Sequence, residues 1–181
     1  VQAGDHAAAQ QTLVEMIKLA EEHLPSDHCY VLLSRLLLAQ TLDQLGQRRA
    51  AKAQYRQLLP LTAERVKNPH ARQMELYAHA SALLGADPNA HAAQEALAVV
   101  ERGLRRSRIW PHYGSRSHLM LVKAKAQYHL AKSRQETIEP AITTLREALQ
   151  QHEDIPLQAR HKHVPVRRQP LEAQLEEFLN P

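Results

Sequence analysis

The sequence is poor in cross-linking and aromatic residues, and it has no long apolar run. A single Cys among 181 residues excludes an internal disulfide and a thiolate metal cluster. Seven aromatic residues, of which five are Tyr, are too few for a typical β-sandwich or barrel, whose strands are rich in them. No stretch approaches the roughly 20 apolar residues of a membrane span, so we expect a soluble protein without membrane insertion. Ala, Leu, Gln, Arg and Glu dominate the long stretches instead, and this composition favours an all-α fold.

Motifs of catalysis and metal binding are also missing. The sequence has no G-x-S-x-G nucleophile motif, no glycine-rich phosphate loop and no pair of carboxylates framed by His. Twelve His are present, but no two are four residues apart, the spacing that brings two imidazoles together on one helical face. Cys29 begins an apolar stretch, which favours a buried thiol over a reactive one. We therefore expect a protein that is not an enzyme and that needs no metal or cofactor.

Capping residues and helix breakers divide the first 154 residues into seven helical segments. Pro60 is expected to end or kink the third segment, although apolar residues resume after it. A loop at 109–115, which contains the only Trp, separates the fifth segment from the sixth. The predicted helices are Asp5 to about His23, Asp27 to Gly46, one from about Gln47 that Pro60 ends or kinks, Asn68 to Gly85, Asp87 to about Ser107, about Ser117 to Lys132, and one that follows Thr137, Glu139 and Pro140 and ends near His152.

The same three-residue pattern occurs in every second helix. An Ala is followed by a large residue four positions on and by an apolar residue three further, and the four copies are offset by 42, 42 and 48 residues. A fixed period with two helices per unit indicates an α-solenoid, in which small Ala lets antiparallel helices approach closely. The copies are Ala9-Leu13-Met16, Ala51-Tyr55-Leu58, Ala93-Leu97-Val100 and Ala141-Leu145-Ala148.

Further positions recur between the units. They are Leu38, Ala39, Leu42, Gly46, Ala51, Tyr55 and Leu58 in the best unit, Tyr77, Ala78, Gly85, Ala93, Leu97 and Val100 in the next, and Leu121, Ala124 and Tyr128 in the last. These positions resemble the motif of the tetratricopeptide repeat (TPR) family, although the last unit has no Gly and has Lys125 where a small residue belongs. The resemblance implies a right-handed solenoid of antiparallel helix pairs over residues 1–154, with about seven repeat helices. The long period is similar to that of kinesin light chain and of the sensor domains of maltose-regulator-like bacterial activators.

The resemblance also implies where a ligand would bind. In the TPR family, the first helices of successive pairs line a concave groove that holds an extended or helical peptide. When the units are aligned on Gly46 and Gly85, the groove positions mix apolar, amide and charged side chains, and the alternative is that they are ordinary half-exposed residues. These predicted groove residues are Leu33, Leu36, Gln40, Asp43, Gln44, Arg72, Glu75 and His79.

The formal charge of +4 arises from one segment. Residues 101–134 contain nine Lys and Arg against a single acidic residue, whereas the stretches on either side are slightly acidic. Basic residues at a helix C-terminus suit the helix dipole, but this does not explain why the excess continues into the next helix. An acidic protein surface, a nucleotide or a nucleic-acid backbone could use the charge. The predicted basic patch consists of Arg102, Arg105, Arg106, Arg108, Arg116 and Lys123.

Residues 155–181 are interpreted as a separate tail. Pro156, Pro165 and Pro170 disfavour a continuous helix from Ile155 to Pro170. Leu171, Leu175 and Phe178 then share one face at helical spacing, which predicts a short amphipathic helix. This helix either caps the open end of the solenoid or lies in the groove of a neighbouring molecule.

Three functions remain open at the level of sequence. The first is a non-catalytic module that binds a peptide or a partner protein through the groove and the basic patch. The second is the sensor domain of a large bacterial transcriptional activator, in which a ligand or inhibitor controls self-association. The third is direct nucleic-acid binding through residues 102–134. The chain begins at Val1 without Met, so we expect a fragment of a longer protein, and we place that protein in the cytoplasm.

Overall fold

The computed structural model describes residues 3–67, 72–107, 113–153 and 168–180. Over these ranges the protein consists of eight α-helices without a strand, and consecutive helices contact one another within each half of the chain. The prediction of an all-α fold is therefore confirmed. The helices are α1 (Ala3–His23), α2 (Cys29–Gln44), α3 (Arg48–Lys67), α4 (Gln73–Ala86), α5 (Ala90–Ser107), α6 (Tyr113–Arg134), α7 (Glu139–Glu153) and α8 (Arg168–Leu179).

The N-terminal boundaries of the first two helices differ from the predicted ones. α1 begins at Ala3, so Asp5 lies within the helix and does not cap it. α2 is capped by His28, whose backbone is extended and whose Nδ1 accepts a hydrogen bond from the N–H of Tyr30 at 3.4 Å. An N-cap needs only a side-chain acceptor that reaches the first turn, and the imidazole provides it here in place of Asp27.

α3 continues through Pro60, so of the two expected effects, ending or kinking the helix, the first is wrong. Proline removes one N–H from the helical ladder, and that loss is tolerated here because Pro60 lies on the exposed face, where water can reach the unpaired carbonyl. The buried face of the helix is uninterrupted. Leu58, Thr62 and Val66 are all buried, and the Thr62 hydroxyl donates to the carbonyl oxygen of Leu58 at 2.9 Å.

α4 and α5 are each capped by a residue other than the predicted one. Arg72 precedes α4, and the carboxylate of Glu75 accepts a hydrogen bond from the Arg72 N–H at 2.9 Å. The predicted start at Asn68 lies outside the described residues. Before α5, the side chain of Asn89 accepts from the N–H of Ala92 at 2.9 Å, so Pro88 precedes the helix and does not open it.

α6 is longer than predicted, whereas α7 lies close to its predicted range. α6 begins at Tyr113, four residues before the expected Ser117, and the predicted loop of residues 109–115 lies largely outside the described residues. α6 ends in a turn where Gln135 has a φ of 57° and the N–H of Glu136 donates to the carbonyl oxygen of Ala131 at 2.9 Å. The same motif ends α2 at Gly46, with a φ of 73°. Gln135 thus occupies, in the last repeat, the turn position that Gly46 occupies in the first unit.

The chain divides into two compact units, Val1–Pro88 and Asn89–Pro181. In the first unit, α2 packs against α1, α3 and α4, and α3 packs against α4. All three residues of the Ala51-Tyr55-Leu58 pattern are buried, as the repeat predicts. The copy in α1 departs from the pattern, because Met16 is half exposed and the neighbouring Ile17 is buried instead.

In the second unit, α6 packs against α5 and α7, and α8 packs against α7. One apolar cluster joins the last three of these helices. It includes Met120 and Ala124 of α6, Leu145 of α7, and Leu171 and Phe178 of α8. The predicted amphipathic helix is therefore confirmed, and it lies against helices of its own chain. It begins at Arg168, so Pro170 lies in its first turn, where a proline is tolerated, and does not precede it.

Candidate functional site

The largest apolar side chains left exposed on α2 lie on one face of that helix. Tyr30 is 67% exposed and Leu37 is 51% exposed. Half-buried Leu33 lies between them in the sequence, and Gln40 and Gln44 follow Leu37. Successive residues of this set are alternately three and four positions apart, so all five side chains lie on one stripe of the helix. We call this surface the α2 strip, and it consists of Tyr30, Leu33, Leu37, Gln40 and Gln44.

The opposite face of α2 anchors the strip to the first unit. Val31, Leu38 and Leu42 are buried there. At the edge of the strip, Gln40 Nε2 donates to the Tyr77 hydroxyl of α4 at 3.0 Å. Burial raises the pKa of Tyr77, so this phenol stays neutral and remains a hydrogen-bond partner at physiological pH. The strip is thus presented by a helix whose orientation is set on three sides by packed neighbours.

The predicted groove residues of α2 lie on this strip only in part. Leu33, Gln40 and Gln44 belong to it, whereas Leu36 is fully buried, so the expectation that Leu36 faces a groove is wrong. Asp43 is exposed but lies beside the edge of the strip, where its charge and, more strongly, burial raise the pKa of Tyr55.

Sequence reasoning missed two members of the strip, Tyr30 and Leu37. Each helical residue is rotated by about 100° from the preceding one. The alignment of the repeats on their turn glycines selected Leu36, although the exposed residue is its neighbour Leu37. A shift of one residue is enough to replace an exposed position by a buried one. The sequence contained the signal, because Tyr30 and Leu37 have the same spacing of three and four residues from Leu33 and Gln40 that places side chains on one helical face.

The predicted groove residues of α4 have structural roles instead. Glu75 is 8% exposed, and its carboxylate accepts from Arg65 Nη1 at 2.8 Å in addition to the Arg72 N–H. His79 is 5% exposed, with Nδ1 at 2.6 Å from the Thr62 hydroxyl. The Thr62 hydroxyl lies within hydrogen-bond distance of both this nitrogen and the Leu58 carbonyl oxygen, so His79 is held by α3 inside the unit. The expectation that Glu75 and His79 face a ligand is wrong, and only Arg72 is exposed.

Arg65 links three parts of the first unit through ion pairs. Its guanidinium contacts Glu75 of α4 and also Asp27, 2.5 Å away in the turn before α2. The hydrogen bond from Arg65 lowers the pKa of Asp27, and the same hydrogen bond raises the pKa of Arg65. These contacts fix the start of α2, and therefore the position of Tyr30, against α3 and α4.

The structure divides the predicted basic patch between two helices of the second unit. Arg102 and Arg105 lie in the last two turns of α5, where Arg102 is half-buried and Arg105 is exposed. Arg116 and Lys123, seven residues apart, share one face of α6. The side chain of Arg106 and the whole of Arg108 lie outside the described residues.

A second cationic face on α6 points away from the predicted patch. Lys125, His129 and Lys132 follow one another at spacings of four and three residues, on the side of the helix opposite Arg116 and Lys123. Burial, and then the charge of Lys125, lower the pKa of His129, whereas Glu177 of α8 acts in the opposite direction. We call Lys125, His129 and Lys132 the α6 basic face. The basic segment of the sequence therefore supplies two separate surfaces.

The described part of the chain offers little for metal binding or membrane insertion. It contains no group of three or more His, Cys, Asp or Glu side chains placed to hold a metal ion. Cys29, expected to be buried, is half-buried with a free thiol. No helix among the described residues combines the length and the apolar character needed to span a membrane.

Comparison with known proteins adds no family to this description. The chain matches no protein-family model, no curated protein and no solved structure.

Proposed function

We propose that this protein is a non-catalytic interaction module of the TPR type, and that the α2 strip binds a peptide or a segment of a partner protein. The observation that carries the proposal is the exposure of Tyr30 and Leu37 on a helix that is otherwise held rigidly. Exposed aromatic and aliphatic side chains in one stripe are typical of peptide-binding helical grooves.

The packing of the first unit supports the proposed repeat architecture. In a solenoid of helix pairs, the first helix of one pair contacts both its own partner and the first helix of the next pair. α2 contacts α3 and also α4 in this way, while α3 lies against α4. We propose that these helices form right-handed TPR-like repeats and that the first helices present the binding surface.

The side chains of the strip define the chemistry of the ligand. Covering Tyr30 and Leu37 with an apolar side chain of the ligand would favour binding, because much of the surface of each residue is exposed to water in the free protein. The amides of Gln40 and Gln44 are suited to hydrogen bonds with a peptide backbone. A peptide with alternating apolar and polar residues fits the proposal best.

The test is selection of peptides from a random library on the full chain, followed by affinity measurements on variants. Leu37→Lys should weaken the selected peptides by about tenfold, because the loss of one buried Leu contact is worth roughly 1.5 kcal/mol. Leu19→Lys is the matched control, since Leu19 is 61% exposed on α1 and outside the strip. Peptides that bind the Leu37→Lys protein as tightly as the wild type would refute the strip as the site.

A further inference from the structure

α8 occupies a surface on α6 and α7 in the manner of a bound amphipathic helix. Leu171 and Phe178 are fully buried in the apolar cluster, and Leu175 packs against it. The ring of Phe178 stacks on Tyr128 of α6, with centroids 4.2 Å apart and planes 3° from parallel. Three apolar residues at positions i, i+4 and i+7 therefore make the docking face of this helix.

The charges of α8 complement those of the surface beside it. Glu172, Glu176 and Glu177 make the helix acidic, and Glu177 lies near enough to His129 to act electrostatically on it. Lys132 Nζ lies 5.0 Å from the centroid of the Tyr128 ring that receives Phe178. The apolar contact is thus flanked by the α6 basic face, and a helix with acidic residues beside its apolar stripe suits this surface better than a basic one.

α8 depends on this contact for its helical structure. It has 12 residues, a length at which an isolated helix is only marginally stable in water. Fourteen residues separate the end of α7 at Glu153 from the start of α8 at Arg168. Its docking therefore resembles the binding of a tethered peptide ligand, in which folding and binding occur together.

We propose that the α6–α7 surface beneath α8 is a second binding site, that its external ligand is an acidic amphipathic helix of a partner protein, and that α8 is the resident occupant which this ligand displaces. The partner helix carries aliphatic residues at i and i+4 and an aromatic residue at i+7, with Glu or Asp between them. This site is independent of the α2 strip, since its residues belong to the other unit of the chain.

The experiment uses a fluorescent peptide of residues 168–180 and the full chain. In the Leu171→Glu/Phe178→Glu variant, the resident helix no longer docks and the surface is open to the peptide. The wild type should bind the peptide at least about tenfold more weakly, because the tethered α8 competes at an effective concentration in the millimolar range. Ala173→Glu/Leu179→Glu adds the same charge at exposed positions of α8 and should behave as the wild type does. Equal affinity of all three proteins would overturn the proposal. So would the absence of binding to the Leu171→Glu/Phe178→Glu protein when its thermal unfolding shows that the remaining helices are folded.

A second measurement covers the case in which the Leu171→Glu/Phe178→Glu protein fails to fold. Hydrogen exchange is followed on the wild type with unlabelled peptide at millimolar concentration. Exchange of the amides of α8 should accelerate while that of α6 and α7 stays unchanged, and a peptide carrying Phe178→Ala should have a much smaller effect. Unchanged exchange in α8 would overturn the proposal. Dimerisation of the wild type through exchanged α8 helices would overturn the assignment of the ligand to another protein.

Discussion

Gly85 offers the sharpest test of the packing in the first unit, through the substitution Gly85→Ala. A Cβ atom added at this position would lie 2.3 Å from two ring carbons of Tyr55, far inside van der Waals contact. Tyr55 is 5% exposed, so its ring has no open space into which it can turn. The glycine is therefore required by the close approach of α4 to α3.

Two opposing effects set the size of the expected change. Replacing Gly by Ala within a helix ordinarily stabilises it by about 1 kcal/mol or less. Forcing an extra methyl group into a packed contact costs about 1–3 kcal/mol, because the helices or the ring must shift. We expect the packing cost to prevail at Gly85 and the free energy of unfolding to fall by about 1–2 kcal/mol.

Urea denaturation followed by circular dichroism measures this change, and a double-mutant cycle identifies its cause. In a Tyr55→Leu background, the ring atoms that meet the new methyl group are absent, so Gly85→Ala should cost much less or become stabilising. The coupling energy of the cycle should be about 1 kcal/mol or more. Gly85→Ala that stabilises the protein in the presence of Tyr55 would refute the close approach of these helices.

Two further predictions concern the end of α6 and the ion pair of Asp27. Gln135→Gly should raise the free energy of unfolding by about 0.5–1 kcal/mol, because Gln135 has a φ of 57° that glycine adopts without strain. Glu136→Gly is the control. An equal gain in stability in both variants would contradict this explanation. Asp27→Asn should flatten the acid side of the stability profile measured by urea midpoints. The pKa of Asp27 is lowered in the folded protein from its ordinary value of 3.8, so its contribution is present above that pH and is lost as the pH falls through the lower, folded-state pKa. Parallel acid limbs in the two proteins would contradict the ion pair.

The helical nature of the chain and most helix positions could be predicted because they depend on local sequence. Periodic apolar residues and breakers locate a helix regardless of what it packs against. Individual caps were harder to assign, because several neighbouring side chains compete for the same N–H groups. His28 acts where Asp27 was expected, and Asp27 instead pairs with Arg65, a residue 38 positions away in the sequence.

The binding surface was harder to predict than the helices that carry it. Glu75 and His79 are polar residues on a first helix, and their sequence context does not reveal that Arg65 and Thr62 of the preceding helix satisfy them internally. Burial of a polar side chain depends on partners brought close by folding. Exposure of Leu37 in place of Leu36 depends on the rotation of α2, which its contacts with three helices determine.

The charge of residues 101–134 illustrates why a linear excess does not define a surface. Lys123 and Lys125 are two positions apart in the sequence, but two residues on a helix are separated by about 200°, so the two side chains face opposite sides of α6. Lys125 lies beside the face on which α8 docks, whereas Lys123 shares the side of Arg116. A nucleic-acid backbone that followed the whole segment would have to encircle the helix, which is packed against α5 and α7. Glu177 of α8 acts electrostatically on His129 of the α6 basic face, so part of the positive charge of this segment is met within the chain and not by one continuous external surface.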